Sequence, residues 1–169
     1  MTTMNMICTY NQWNTRKETE MKIFVKSKMW MEEIIAEEPD FFKDQAVISI
    51  NDPNTSSPLT EQDCKYSLFL YFHDITNEAE GYRAGIGRPI MFAREDAKRV
   101  IDFLEKIRKD NIDELYIHCY AGFSRSAAVG IFANNYLHWG DDCRKQWVDF
   151  YRQNNAMRPN HWVLEKLLE

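Results

Sequence analysis

A cysteine and an arginine carry the chemistry that the sequence most clearly indicates. They stand in the segment HCYAGFSRS at residues 118–126, which follows an apolar run. A loop of this length can wrap its backbone N–H groups around one phosphate, and a helix that begins at its end adds partial positive charge. Arg125 can hold two phosphate oxygens with its planar guanidinium. These positive groups favour a thiolate at Cys119, which can attack phosphorus.

The other residues of this segment have supporting roles in the same interpretation. Gly122 permits the backbone to approach a ligand closely. Ser126 can donate a hydrogen bond to the departing thiolate, and His118 can orient the loop through its ring nitrogens. The positions expected to surround the phosphate are Tyr120, Ala121, Gly122, Phe123, Ser124 and Arg125. Because no residue between the cysteine and the arginine is basic, the segment favours a substrate with a single phosphate.

The elements that must position this segment alternate between strand and helix patterns. The predicted strands are 21–27, 45–51, 67–75 and 114–119. The predicted helices are 28–38, 91–110, 125–139, 143–154 and 160–169. Glycine and proline at 76–89 predict a mobile loop. The alternation predicts an α/β fold with a small, largely parallel central sheet flanked by helices, and it places Cys119 at the carboxyl end of a strand, where such sheets bind ligands.

Composition limits the class of protein. The 169 residues, 44% of them hydrophobic, are enough for one domain, which we place at 21–169, after a polar and flexible arm at 1–20. The 21 basic and 26 acidic residues give a net charge of −5, which opposes general affinity for nucleic acids or anionic membranes. No apolar stretch has the length of a membrane-spanning helix. We therefore expect neither a nucleic acid nor a membrane as partner.

Cysteine usage indicates the compartment. Four cysteines are too few for a disulfide scaffold in a chain of this size. The first ten residues also lack the cationic and apolar regions of a secretory signal. We therefore expect a cytoplasmic protein with reduced thiols, in which a cysteine nucleophile can operate. No histidine or cysteine pair has the spacing of a metal site, so we expect no metal.

The segment HCYAGFSRS resembles the H-C-x5-R-[ST] signature of the cysteine-dependent protein tyrosine phosphatase superfamily. It is most similar to the dual-specificity branch, whose loops often read H-C-x-A-G-x-S-R-S. The segment RPNHWVLEKLLE at 158–169 resembles the start of the last helix in that branch, which implies a supporting role for Asn160 beside its suitability as a helix N-cap. The resemblance covers 21–169 and implies a small dual-specificity phosphatase fold, a phosphocysteine intermediate, and no cofactor.

This mechanism needs a carboxylic acid that protonates the leaving oxygen and then activates water. The resemblance implies an aspartate in the loop after the strand that precedes the signature strand. Asp74 is the first acid beyond the apolar stretch of that strand, SLFLYFHDI. Because catalytic carboxylates lie at strand ends near the site, we predict that Asp74 is the general acid.

The alternatives to Asp74 arise from an unusual spacing. The signature cysteine follows Asp74 by 45 positions, more than is usual in the branch, which implies an insertion within 76–89. Glu78 and Glu80 lie in that insertion, and either could supply the acid if the loop folded over the pocket. Asp52 also ends a strand, and we interpret it as a turn residue before Pro53.

The expected activity is hydrolysis of phosphotyrosine in a protein or peptide, with phosphoserine and phosphothreonine left open. A neutral, partly aromatic rim fits a single phosphate on an aromatic or alkyl alcohol. Two alternatives stay open at this point. One is a phosphate-binding pseudophosphatase module without turnover, and the other is a phosphatase of small phosphorylated metabolites. The sequence does not indicate an oligomeric state.

Overall fold

The computed structural model describes residues 21–138 and 143–169, so the arm predicted at 1–20 lies outside the described residues. The strands are β1 (Lys22–Ser27), β2 (Ala46–Asn51), β3 (Tyr66–Tyr71) and β4 (Glu114–Cys119). They form a parallel sheet in the order β1-β4-β2-β3. The helices are α1 (Lys28–Glu37), α2 (Glu78–Arg83), α3 (Arg94–Lys109), α4 (Arg125–Leu137), α5 (Cys143–Gln153) and α6 (His161–Leu168). The predicted α/β fold with a parallel central sheet is confirmed.

Side chains of the central strands alternate between two cores, as the two-residue period of a strand requires. In β4, Leu115, Ile117 and Cys119 belong to the larger core, beneath α3, α4, α5 and α6. Tyr116 faces the smaller core with Met31 of α1. Because both faces are covered, β2 is buried at every position.

Polar side chains occupy both edges of the sheet. At β1, Val25 N–H donates to Oδ1 of Asn154 over 2.7 Å, and Nδ2 of Asn154 donates to the carbonyl of Ile23 over 2.9 Å. At β3, Nη2 of Arg99 donates to the carbonyl of Phe69 over 2.7 Å. These bonds satisfy edge groups that would otherwise be free to pair with another strand.

The region 76–89 differs from the predicted loop because α2 lies within it. Asn77 caps this helix by accepting a hydrogen bond from Glu80 N–H, and the Glu80 carboxylate accepts two from Thr76. Gly81 lies inside this helix. The position needs glycine because a Cβ there would lie 2.7 Å from Cγ of Pro89. The prediction of a loop over 76–89 was wrong at 78–83, where Gly81 allows close packing against Pro89 and does not form a turn.

Candidate active site

The loop from Cys119 to Arg125 joins the carboxyl end of β4 to the amino end of α4. Cys119 is 1% exposed, and its Sγ accepts a hydrogen bond from Gly122 N–H over 3.3 Å. The same Sγ lies 3.1 Å from Oγ of Ser126. The thiol therefore has one polar neighbour in the loop and one in the first turn of α4, at the end of the sheet where parallel α/β proteins bind ligands.

The loop rests against the junction of β1 and α1. The carbonyl of Tyr120 accepts a hydrogen bond from Lys28 N–H over 3.1 Å. Gly122 has a φ of +80°, and a Cβ there would lie 2.5 Å from the backbone nitrogen of Ser27. Both the left-handed conformation and this close approach require glycine.

Arg125 is 3% exposed, and only part of its guanidinium has a partner. Nη1 donates to Oδ1 of Asp52 over 2.8 Å and to the carbonyl of Phe72 over 2.7 Å. Nε is buried, and neither Nε nor Nη2 makes a hydrogen bond to any residue that the structure describes. These two nitrogens form one edge of the guanidinium, the geometry that holds two oxygens of a phosphate. A buried unsatisfied donor costs about 1–3 kcal/mol, so this edge indicates a ligand.

Asp52 has a second role that the sequence interpretation missed. As predicted, it forms a turn, because its carbonyl accepts hydrogen bonds from the amide and hydroxyl of Thr55. Its carboxylate also forms the ion pair with Arg125. The sequence did show an acid at the carboxyl end of a strand, which is a common place for a functional residue. Its pairing with Arg125 could not be predicted, because it depends on β2 lying beside β4.

Asp74 lies at the apex of a tight turn. The strand predicted at 67–75 ends at Tyr71, and the carbonyl of His73 accepts a hydrogen bond from Ile75 N–H over 3.0 Å. Asp74 is the central residue of this three-residue turn, and it is exposed. The apolar pattern continued past the strand because Phe72 and Ile75 are buried without belonging to it.

The Asp74 carboxylate contacts the loop of Cys119 and the start of α6. Its Oδ1 accepts hydrogen bonds from Oγ of Ser124 over 2.7 Å and from Nδ2 of Asn160 over 2.8 Å. No described residue donates to its Oδ2. One carboxylate oxygen is therefore fixed while the other is available.

Asn160 joins three parts of the site. Its Oδ1 caps α6 by accepting a hydrogen bond from Val163 N–H, and its Nδ2 also donates to the carbonyl of Ile75 over 3.2 Å. Its own N–H donates to the carbonyl of Ser124. The N-cap and the contacts with the Asp74 turn and the loop thus coexist in one residue.

The two glutamates of α2 have different surroundings. Hydrogen bonds from the amide and hydroxyl of Thr76 lower the pKa of Glu80. Glu78 is exposed in the first turn of α2. Within the described parts of the chain, neither carboxylate makes a hydrogen bond to the segment 119–126.

His118 lies beneath the loop in a buried polar network. Its Nε2 lies 2.7 Å from Oγ of Ser49, which is 2.8 Å from Oγ of Ser57 and also accepts from Nδ2 of Asn51. The histidine is fully buried. This network connects the residue before the cysteine to the chain that follows β2.

The pKa of His118 is lowered from 6.5 to about 4, chiefly by burial and also by the charges of Lys28 and Arg125, while a contact with the Cys119 backbone acts in the opposite direction. The folded protein disfavours protonation of His118. The contribution of the neutral histidine to the free energy of unfolding is therefore complete above pH 6.5 and is lost as the pH falls towards 4. We expect His118 to cost on the order of 2–3 kcal/mol of unfolding free energy between about pH 7 and about pH 4.5.

Denaturant unfolding of the wild type and of His118→Asn at both pH values measures this contribution. Subtracting the variant removes the effects of carboxylates that titrate in the same range. The stability difference between the two proteins should change with pH in the stated direction. An equal difference at both pH values would contradict the assignment.

The rim of the site is aromatic and without basic side chains in the loop. Tyr120 is 72% exposed and Phe123 is 43% exposed, whereas Cys119 of the same loop is buried. Ala121 is exposed beside them.

Among the residues described, no group of three histidine, cysteine or acidic side chains could hold a metal ion. No helix in the same part of the chain is both long and apolar enough to cross a bilayer.

Comparisons with known proteins identify the architecture. No protein-family model and no curated protein matches the sequence. Among solved structures, the human tyrosine phosphatase-like serine/threonine/tyrosine-interacting protein aligns with a TM-score of 0.57 at 18% identity, over 86% of this chain and 88% of that one. Human DUSP28 aligns with a TM-score of 0.54 at 16% identity, over 86% and 88%. A mouse putative dual specificity phosphatase aligns with a TM-score of 0.53 at 14% identity, over 95% and 91%.

The chain has the fold of the dual-specificity phosphatases. The fold that the signature segment implied is therefore confirmed. At these identities the likeness concerns the dual-specificity phosphatase fold alone. The roles of Cys119, Arg125, Asp74 and Ser126 are accordingly argued from the geometry of this chain.

Proposed function

We propose that residues 21–169 form a cysteine-dependent phosphatase domain that hydrolyses phosphotyrosine in a protein or peptide. The observation that carries this proposal is the unpaired Nε and Nη2 edge of buried Arg125, in the loop that holds the Cys119 thiol. An oxyanion bound between this edge and the loop amides would satisfy the arginine. It would also place phosphorus beside sulfur.

In the first step, the Cys119 thiolate attacks phosphorus and the bond from phosphorus to the substrate oxygen breaks. Asp74 gives its proton to the departing oxygen. Its position supports this role, because Ser124 and Asn160 fix one carboxylate oxygen and leave the other available. Asp52 serves instead as the partner of Arg125.

In the second step, the Asp74 carboxylate takes a proton from water and the water oxygen attacks phosphorus. The sulfur–phosphorus bond breaks, the electron pair returns to sulfur, and inorganic phosphate forms. Ser126, 3.1 Å from the sulfur, can donate a hydrogen bond to the departing thiolate. Asp74 ends the cycle protonated, ready for another substrate.

The rim supports phosphotyrosine as the substrate. Cys119 is buried, whereas Tyr120 and Phe123 of the same loop are exposed aromatic side chains, so the phosphate of a substrate has to reach below the surface. A tyrosyl ring is longer than a serine or threonine side chain, and it can pack against aromatic neighbours. A loop without a basic residue before Arg125 suits a single phosphate.

One alternative has some support from a structural match. The human protein with the TM-score of 0.57 is described as phosphatase-like and interacting, which fits a binding module without turnover. Such a module needs the phosphate site but no placed acid. Asp74, whose Oδ1 lies 2.7 Å from Oγ of Ser124 of the loop, favours turnover in this chain.

Because the Cys119 nucleophile must stay reduced, we propose the cytoplasm as the compartment of the protein.

Hydrolysis of p-nitrophenyl phosphate by the purified protein tests the function. We expect activity that persists in a metal chelator and is inhibited by vanadate. Phosphotyrosine peptides should have a higher kcat/KM than phosphoserine peptides or small phosphorylated metabolites. Absence of metal-independent activity would refute the enzyme, and equal or better use of metabolites would refute the protein substrate.

The Asp74→Asn variant tests the assignment of the acid. We expect kcat for phenyl phosphate to fall about 10²-fold, because the amide cannot donate a proton to a poor leaving group. The fall should be smaller for p-nitrophenyl phosphate, whose leaving group needs less protonation. KM should change little, since Asp74 does not belong to the phosphate site.

Steady-state kinetics of Asp74→Asn beside Glu78→Gln gives the matched comparison. Glu78 is an exposed acid of α2 without a contact to the loop, so its variant should behave as the wild type. Full activity of Asp74→Asn on phenyl phosphate, or a comparable loss in Glu78→Gln, would contradict the assignment.

A further inference from the structure

The segment between the Asp74 turn and α3 is closed at its base by two hydrogen bonds. His73 N–H donates to the carbonyl of Ile90 over 2.8 Å, and Ile90 N–H donates to Nδ1 of the His73 ring over 2.9 Å. The region 76–89, with α2, leaves the chain after this pair and returns to it. The pair thus holds together the two ends of the segment 74–89, which we call the excursion, whatever its length.

His73 is also the first residue of the turn that carries Asp74. The third residue, Ile75, is buried, and its carbonyl accepts a hydrogen bond from Asn160. The turn is therefore anchored on one side by α6 and on the other by Ile90. Asp74 itself is exposed, so these anchors and the bonds to its Oδ1 determine where its free oxygen lies.

The ring contributes a contact that the backbone cannot replace. Nδ1 accepts a hydrogen bond from Ile90 N–H through its lone pair, which a side chain without an acceptor cannot offer. An alanine at this position would remove the acceptor that the protein supplies to the Ile90 amide and keep only one bond of the pair. The base of the excursion would then be free to open and to move the adjacent aspartate.

We propose that His73 is a positioning residue for Asp74, acting through its ring contact with Ile90. This inference rests on the proposed function, since it assigns a role in proton transfer at the same site. It also explains how a long excursion directly after the acid is compatible with a placed carboxylate. Small displacements of a catalytic group produce large losses of rate, which gives the contact its expected effect.

The test compares His73→Ala with His73→Asn. For phenyl phosphate, we expect His73→Ala to lower kcat about tenfold, with KM and the vanadate inhibition constant unchanged. The asparagine Oδ1 can accept the hydrogen bond from Ile90 N–H, so His73→Asn should recover most of the rate. The loss should be smaller for p-nitrophenyl phosphate, as expected for a defect in protonating the leaving group.

A double variant separates positioning of the acid from a general structural role. In the Asp74→Asn background, His73→Ala should cause no further loss of kcat, because the group that it positions is absent. A further tenfold loss in that background, wild-type kcat in His73→Ala, or no recovery in His73→Asn would overturn this inference alone. A wild type without metal-independent activity would overturn the proposed function and this inference together.

Discussion

Replacing Cys119 with serine is expected to lower kcat for p-nitrophenyl phosphate by about 10⁴-fold or more, because a hydroxyl is a far weaker nucleophile than a thiolate. Phosphate binding should survive, because the loop amides and the free edge of Arg125 stay in place. Steady-state kinetics measures the loss, and titration with a phosphotyrosine peptide measures the binding. Retained binding with lost turnover separates the nucleophile from the phosphate site.

Cys64→Ser is the matched control for this variant. Cys64 is also buried and free, and burial raises the pKa of its thiol. It belongs to the smaller core, away from the loop of Cys119. Its serine variant should keep the wild-type kcat. Residual activity of Cys119→Ser near the wild-type level, or a comparable loss in Cys64→Ser, would show that Cys119 is not the nucleophile.

Replacing Arg125 with lysine is expected to lower kcat/KM by about 10³-fold, because a lysine cannot present two parallel N–H groups to the phosphate. Arginine uses Nη1 to bind Asp52 and the Phe72 carbonyl, and it keeps its other edge free. The single ammonium group of a lysine could not bind these acceptors and the substrate phosphate at the same time. Both substrate binding and the transition state should therefore lose affinity.

Kinetics and vanadate inhibition of Arg125→Lys, beside Arg88→Lys, measure this effect. Arg88 is an exposed arginine that precedes Pro89, and its lysine variant should keep the wild-type kcat/KM. Vanadate should inhibit Arg125→Lys much more weakly than the wild type. Unchanged vanadate inhibition in Arg125→Lys would contradict the role of the guanidinium edge.

Local sequence patterns predicted most of the architecture. Apolar runs and amphipathic periods are properties of a few neighbouring residues, so within 21–138 and 143–169 they located all four strands and five of the six helices. The spacing of Cys119 and Arg125 is likewise local, because both lie in one loop between a strand and a helix. The short helix α2 was missed, because Gly81 is there for contact with Pro89, which the local pattern does not encode.

Contacts between distant parts of the chain could not be predicted in the same way. The ion pair of Asp52 with Arg125 depends on the strand order, and the contact of Asn160 with Asp74 depends on where α6 packs. The third strand was also predicted too long, because Phe72 and Ile75 are buried although they lie beyond its end. Sequence alone therefore indicated the participants in the site more reliably than the partners of each one.

The most direct measurement of the central claim is mass spectrometry of the protein denatured rapidly at neutral pH during turnover of p-nitrophenyl phosphate. Attack by the thiolate predicts one phosphoryl group on the peptide that contains Cys119. The same peptide from Cys119→Ser should carry none, and the label should disappear once substrate is exhausted. Turnover without a phosphorylated intermediate, or with the phosphoryl group on another residue, would contradict the mechanism.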